Sequence, residues 1–89
     1  MTVRRRVTVR GRVQGVFFRD SVRRLAAGRG VAGSAVNLPD GAVEVVLEGP
    51  PEAVDELIAF CAAGPDRAEV SAVEVEEEEP RGESGFRTG

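Results

Sequence analysis

Apolar residues alternate with polar ones in some stretches of this chain and recur at helical spacing in others. The order of those two patterns limits the fold more than any other feature. Across Val3 to Arg10, Val7 and Val9 share one parity against Arg6, Thr8 and Arg10, the pattern of a half-buried strand. Phe18, Val22, Leu25 and Ala26 then stand at i, i+4, i+7 and i+8, one helical stripe. Gly28 and Gly30 fray or end that helix. Residues 34–38 make a short strand, and Asn37-Leu38-Pro39-Asp40-Gly41 supplies the turn formers of a hairpin. Val43, Val45 and Leu47 alternate with Glu44, Val46 and Glu48 in a third strand. Gly49-Pro50-Pro51 stops it and opens a second helix, with Pro51 suited to the first turn. Val54, Leu57, Ile58 and Cys61 form its stripe, and Gly64-Pro65 ends it. Val73 and Val75 alternate with Glu74 and Glu76 in a fourth strand. In the polar tail, Phe86-Arg87-Thr88 is a candidate for one short strand more.

The order β-α-β-β-α-β predicts an α/β (α+β) sandwich of the ferredoxin-like kind. Its antiparallel sheet has four to five strands, covered on one face by two helices. With 89 residues the chain suits one domain, residues 1–89, with a single core. Cys61, on the apolar stripe, is expected in that core. The run Glu76-Glu77-Glu78-Glu79 suits a solvated strand edge that discourages edge pairing. Architecture of this kind hosts many unrelated activities, so function has to come from particular residues.

Composition removes several chemistries. There is no His and only one Cys, which excludes a His/Cys metal site, a Ser-His-Asp triad, a Cys-His pair and an intramolecular disulfide. No run approaches the length of a membrane span, and Met1 to Arg6 lacks the apolar stretch of a signal peptide, so the cytoplasm is the expected compartment. Every basic residue is Arg, able to form bidentate contacts with oxyanions. Nine of the twelve arginines fall in residues 1–29 beside one acidic residue, while fourteen of the fifteen acidic residues follow. Arg4, Arg6, Arg23 and Arg24 are expected on solvated faces.

Between the first strand and the first helix lies Gly11-Arg12-Val13-Gln14-Gly15-Val16-Phe17-Phe18-Arg19. Two glycines in a tight strand-to-helix turn allow backbone N–H groups to crowd round an anion. Arg19 places a guanidinium at the helix start, where the helix dipole repels it. A phosphate would complete that arrangement.

On these residues the chain resembles the acylphosphatases, from Val7 to about Val73 without a gap. Gly11 to Arg19 matches the family's G-x-V-Q-G-V-x-F-R loop, and Gly30-Val31-Ala32-Gly33 its G-L-x-G segment. Asn37 stands where the family carries its Asn, and Asp40-Gly41-Ala42-Val43-Glu44 resembles the D-G-x-V-E hairpin. Gly64-Pro65, Ala68 and Val70 match G-P-x-x-A-x-V. The resemblance implies metal- and cofactor-free hydrolysis of small acyl phosphates to carboxylate and phosphate. It makes Arg19 the phosphate-binding arginine and Asn37 the residue that positions water. Substrate contacts are implied from Gln14, Gly15, Val16, Phe17, Phe18 and Arg19. With no His available, a phosphate oxygen of the substrate is the expected base.

Gln14 suits a structural role, and Phe17 and Phe18 a pocket wall or core. Ser34 and Val36 depart from residues frequent in the family beside Asn37, an aromatic and a basic one. Three other readings stay open at this stage. One is a domain directed at carbamoyl phosphate, like that of hydrogenase maturation factors. Another is an anion sensor without turnover. The third, a nucleic-acid module, predicts aromatics on an exposed sheet face, and the four Phe residues do not supply them. The expectation is a monomer acting on a small acyl phosphate, with neither nucleic acid nor membrane as partner.

Overall fold

The computed structural model describes residues Met1 to Gly89. Its elements are β1 (Val3–Arg12), α1 (Phe18–Arg29), β2 (Ala32–Asn37), β3 (Val43–Gly49), α2 (Pro51–Ala63), β4 (Glu69–Glu78) and β5 (Phe86–Thr88). Side chains of one parity on β1 and β3 meet the helical stripes. Val7, Val9, Val43, Val45 and Leu47 pack with Phe18, Val22, Ala26, Val54, Leu57 and Cys61 in one core, all essentially without solvent contact. Each such Val or Leu contributes about 1.5–3 kcal/mol through removal from water. Leu25 and Ile58, at the margins of their stripes, are only partly buried. Gly28 lies within α1, and Gly30 caps it in the left-handed conformation.

The strands form one sheet in the order β4-β1-β3-β2-β5. The four longer strands pair antiparallel, as the pattern predicts. β5 pairs parallel with β2, Gly33 opposite Phe86 and Ala35 opposite Thr88, so the sheet is mixed rather than wholly antiparallel. The reason is the route of the chain. β4 and β5 lie at opposite edges, and the connection between them must cross the sheet before β5 can pair.

That crossing occurs on the face away from the helices and overturns one expectation about the arginines. Arg4, on the polar parity of β1, is only 3% exposed. Its Nε donates to Glu78 Oε1 at 2.9 Å, and its Nη1 donates to Glu48 Oε1 at 3.1 Å and Glu83 Oε2 at 3.0 Å. Arg6 is half-buried beside it, with Nε 2.6 Å from Glu78 Oε2 and Nη1 2.9 Å from Glu44. Residues 79–85 lie over this cluster, and the N–H groups of Arg81, Gly82 and Glu83 all donate to the Glu48 carboxylate. Arg23 and Arg24 keep the solvated positions expected of them, paired with Asp20. In the acidic run, Glu76, Glu77 and Glu79 are exposed on the edge strand or just past it, while Glu78 turns to Arg4 and Arg6.

At the far end of β1 the pairing with β4 shifts register between Arg10 and Gly11. Gly11 has φ 126°, and a Cβ there would lie 2.0 Å from the Glu69 carbonyl oxygen. Only glycine fits this bulge, which leads the strand into the Gln14–Phe17 loop.

Candidate active site

The loop between β1 and α1 is built from alternating local conformations. Gly15 has φ 75°, and Phe17, the residue just before α1, has φ 60° and ψ 24°. A phenylalanine in the left-handed region is costly and needs a local reason. Here it turns the chain into the helix while Phe17 projects outward, 82% exposed, and the next residue, Phe18, sinks into the core. None of the amides from Gln14 through Asp20 donates to an acceptor within the chain. Consecutive N–H groups on such a path form an anion-binding concavity at a helix N-terminus.

Arg19 occupies the first turn of α1. Nine of the twelve arginines form ion pairs, and Arg19 is not among them. The adjacent Asp20 does not neutralise it, because Asp20 is held by Arg23 at 2.6 Å and Arg24 at 2.9 Å. The Arg23 hydrogen bond, helped by the Arg24 charge, holds the Asp20 carboxyl below its ordinary range. A cavity of about 260 Å³ is lined by Gly15, Phe17, Arg19, Asp20 and Thr88.

Of the residues singled out from sequence, the structure therefore brings Gly15, Phe17 and Arg19 onto one cavity. Val16 lies on the other side of Phe17, in a cleft of about 550 Å³ shared with Gly15, Phe17, Ser21, Pro65, Asp66 and Arg67. Phe18 is core and contributes no side-chain wall. Gln14 turns away to the β2–β3 hairpin, its Nε2 donating to the carbonyls of Leu38 and Ala42, each at 2.9 Å. Its side chain fastens the loop to the hairpin rather than facing the cavity. Asn37 ends β2, exposed, opposite Val43. Two residues from the buried Ala35, it lies on the helix-facing side of the sheet. It is not part of the cavity wall. Thr88 is; the sequence marks it as the end of a candidate short strand, which β5 is, but only the pairing of β5 with β2 brings it to the cavity.

A family model described as Acylphosphatase matches residues 5–88. The chain belongs to the acylphosphatase family. It is 59% identical over 81 residues to the acylphosphatase of Rubrobacter xylanophilus, a match covering 91% of this chain and 74% of that one. Its fold superposes with a TM-score of 0.93 on an acylphosphatase structure from Coxiella burnetii, at 40% identity, covering 99% of this chain and 93% of that one. The Bacillus subtilis acylphosphatase structure also gives a TM-score of 0.93, at 34% identity, covering 100% and 99% of the two chains. The activity is hydrolysis of acyl phosphates, and the ferredoxin-like sandwich is the acylphosphatase fold. No helix is long and apolar enough to cross a membrane.

Proposed function

We propose that the acyl phosphate's phosphoryl group binds between Arg19 and the amides of Gln14 to Phe18, where Asn37 directs a water molecule at phosphorus. The observation that carries this reading is Arg19 itself: a guanidinium without a carboxylate partner, on one cavity with Gly15 and Phe17. Arg19 offers two parallel N–H donors to two phosphoryl oxygens, and the loop amides take the remaining charge. The leaving group is a carboxylate, which departs without protonation by a strong acid. Charge neutralisation and alignment are what remain to be supplied.

The attacking water must lose a proton, and no imidazole exists to accept it. Asp20 is the carboxylate on the cavity wall, but two arginines already hold it and lower its basicity. A phosphoryl oxygen of the substrate is the better acceptor, and the Asn37 amide orients the water without taking its proton. The acyl portion extends past Phe17 into the neighbouring cleft, between Val16 and Pro65. All of these groups come from one chain, so a monomer suffices for the reaction; its proposed setting is the cytoplasm, with residues 1–89 as a single domain.

Benzoyl phosphate hydrolysis with excess chelator tests the scheme: phosphate release should be undiminished. In water enriched in heavy oxygen, the label should enter phosphate and not benzoate. Label in benzoate would mean attack at carbon and would overturn the assignment of Asn37. Sedimentation at micromolar concentration checks the monomer.

A further inference from the structure

We infer that Glu48, on the sheet face opposite the phosphate loop, is a positioning residue for substrate binding, acting through residues 79–85 and β5 on the Thr88 wall of the Arg19 cavity. The inference rests on the phosphate-site reading above and adds a residue on a separate element.

Glu48 is 5% exposed, a carboxylate that burial alone would make costly. Its oxygens are fully engaged. Oε1 accepts from the Arg81 amide at 2.9 Å and from Arg4 Nη1 at 3.1 Å, while Oε2 accepts from Gly82 at 2.7 Å and Glu83 at 2.9 Å. Three consecutive amides converging on one carboxylate fix the path of the backbone, not merely its proximity. Arg4 ties the same segment a second time through Glu83. A well-packed apolar residue can match the stability of a buried ion pair. The directional contacts of Glu48 instead define where the crossing segment runs.

That segment leads directly into the site. After Glu83, the Gly85 carbonyl accepts from the Gly33 amide at 2.9 Å, and β5 pairs with β2 from Phe86 to Thr88. Thr88 then closes one side of the cavity that holds Arg19. β5 has three residues and one strand neighbour, with Phe86 partly buried against the core; pairing this short does not by itself fix the path of the strand. Without the Glu48 anchor, the Thr88 wall loosens, water enters, and the attraction between Arg19 and an anion weakens. The loop amides and Asn37 stay in place, so binding suffers more than turnover.

The experiment measures kcat and KM for benzoyl phosphate, the inhibition constant of inorganic phosphate, and amide hydrogen exchange. It compares the full chain with Glu48→Gln, Glu48→Ala, Thr88→Ala and the Glu48→Gln/Thr88→Ala double variant. For both Glu48 variants, KM and the phosphate constant should rise about fivefold while kcat stays within about twofold, the size expected for losing an anchored cavity wall. Exchange at Gly33 should quicken while the β1–β3 amides keep their protection. In the Thr88→Ala background, Glu48→Gln should add little. An unchanged KM, a KM rise undiminished in the double variant, or protection lost equally across the sheet would each overturn the inference. If Glu48→Ala does not fold, Thr88→Ala still decides, since wild-type KM there removes the proposed wall. Failure of any of these arms leaves the Arg19 reading intact. That reading falls if Arg19→Ala or Arg19→Lys keeps near-wild-type kinetics.

Discussion

Two parts of this molecule combine arginine with a run of backbone amides, and they differ in what completes them. On the open sheet face, Glu48 accepts from the amides of Arg81, Gly82 and Glu83, while Arg4 is enclosed by Glu48, Glu78 and Glu83. Arg4 and Glu48 there have all their partners from the same chain, and the result is architecture. In the β1–α1 loop the amides have no acceptor within the chain and Arg19 has no carboxylate. The same chemistry without an internal counter-charge becomes a binding site for an external one. What sets Arg19 apart from Arg4 is the missing partner together with its place on the cavity beside the loop amides.

The largest effect that would break this contrast belongs to Arg19. Arg19→Ala should lower kcat/KM for benzoyl phosphate about a thousandfold or more, and Arg19→Lys should recover little because the planar fork is lost. Near-wild-type kinetics in either variant would place Arg19 with the structural arginines. Asn37→Ala follows, with turnover reduced about a hundredfold and phosphate affinity changed less. Equal loss of both would give Asn37 a binding role instead.

Gln14→Ala sharpens the contrast from the other side. It removes two hydrogen bonds that hold the loop to the hairpin, at a cost of about 1–3 kcal/mol. Thermal unfolding should register that loss together with a drop in turnover. A purely kinetic defect would return Gln14 to the substrate contacts.

The smallest effect is one of pH. The amides of Arg81, Glu83 and Gly82, with Arg4, hold the Glu48 carboxyl near a pKa of about 2, below its ordinary 4.5. Hydrogen bonds from Arg6 and Arg4 hold Glu78 at about 2 as well. Both groups bind protons more readily when unfolded, so their contribution is complete above about pH 4.5 and is lost as the pH falls toward 2. The melting temperature should fall across that window, and Glu48→Gln should flatten the decline. An undiminished slope in Glu48→Gln would show that other carboxylates dominate acid unfolding.

Much of the fold is legible because it is set by local period. The helical stripes and alternating valines place the elements, and most residues they name are buried, although Leu25, Ile58 and Val73 are only partly so and Val75 is exposed. The phosphate loop is legible for a similar reason: its glycines, its arginine and the following helix are neighbours in sequence. Arg4 is not, because its partners lie 44, 74 and 79 positions away and cover a parity that otherwise means solvent. Thr88 is hidden more deeply. A three-residue strand carries almost no periodic signal, and its parallel pairing depends on where the crossing segment is pinned. Gln14 shows a further limit: motif membership puts it in the loop, but only the hairpin's carbonyls reveal where its amide goes.

Cys61 lies at the centre of the packed interior, and burial pushes its thiol up to about 12. Native molecules should therefore resist alkylating reagents, since the thiolate is the reactive form. Because the chain has no other sulfhydryl, the modification rate at neutral pH reports every opening, local or global, that uncovers α2. The protein carries its own clock of such openings, readable by mass without an added label.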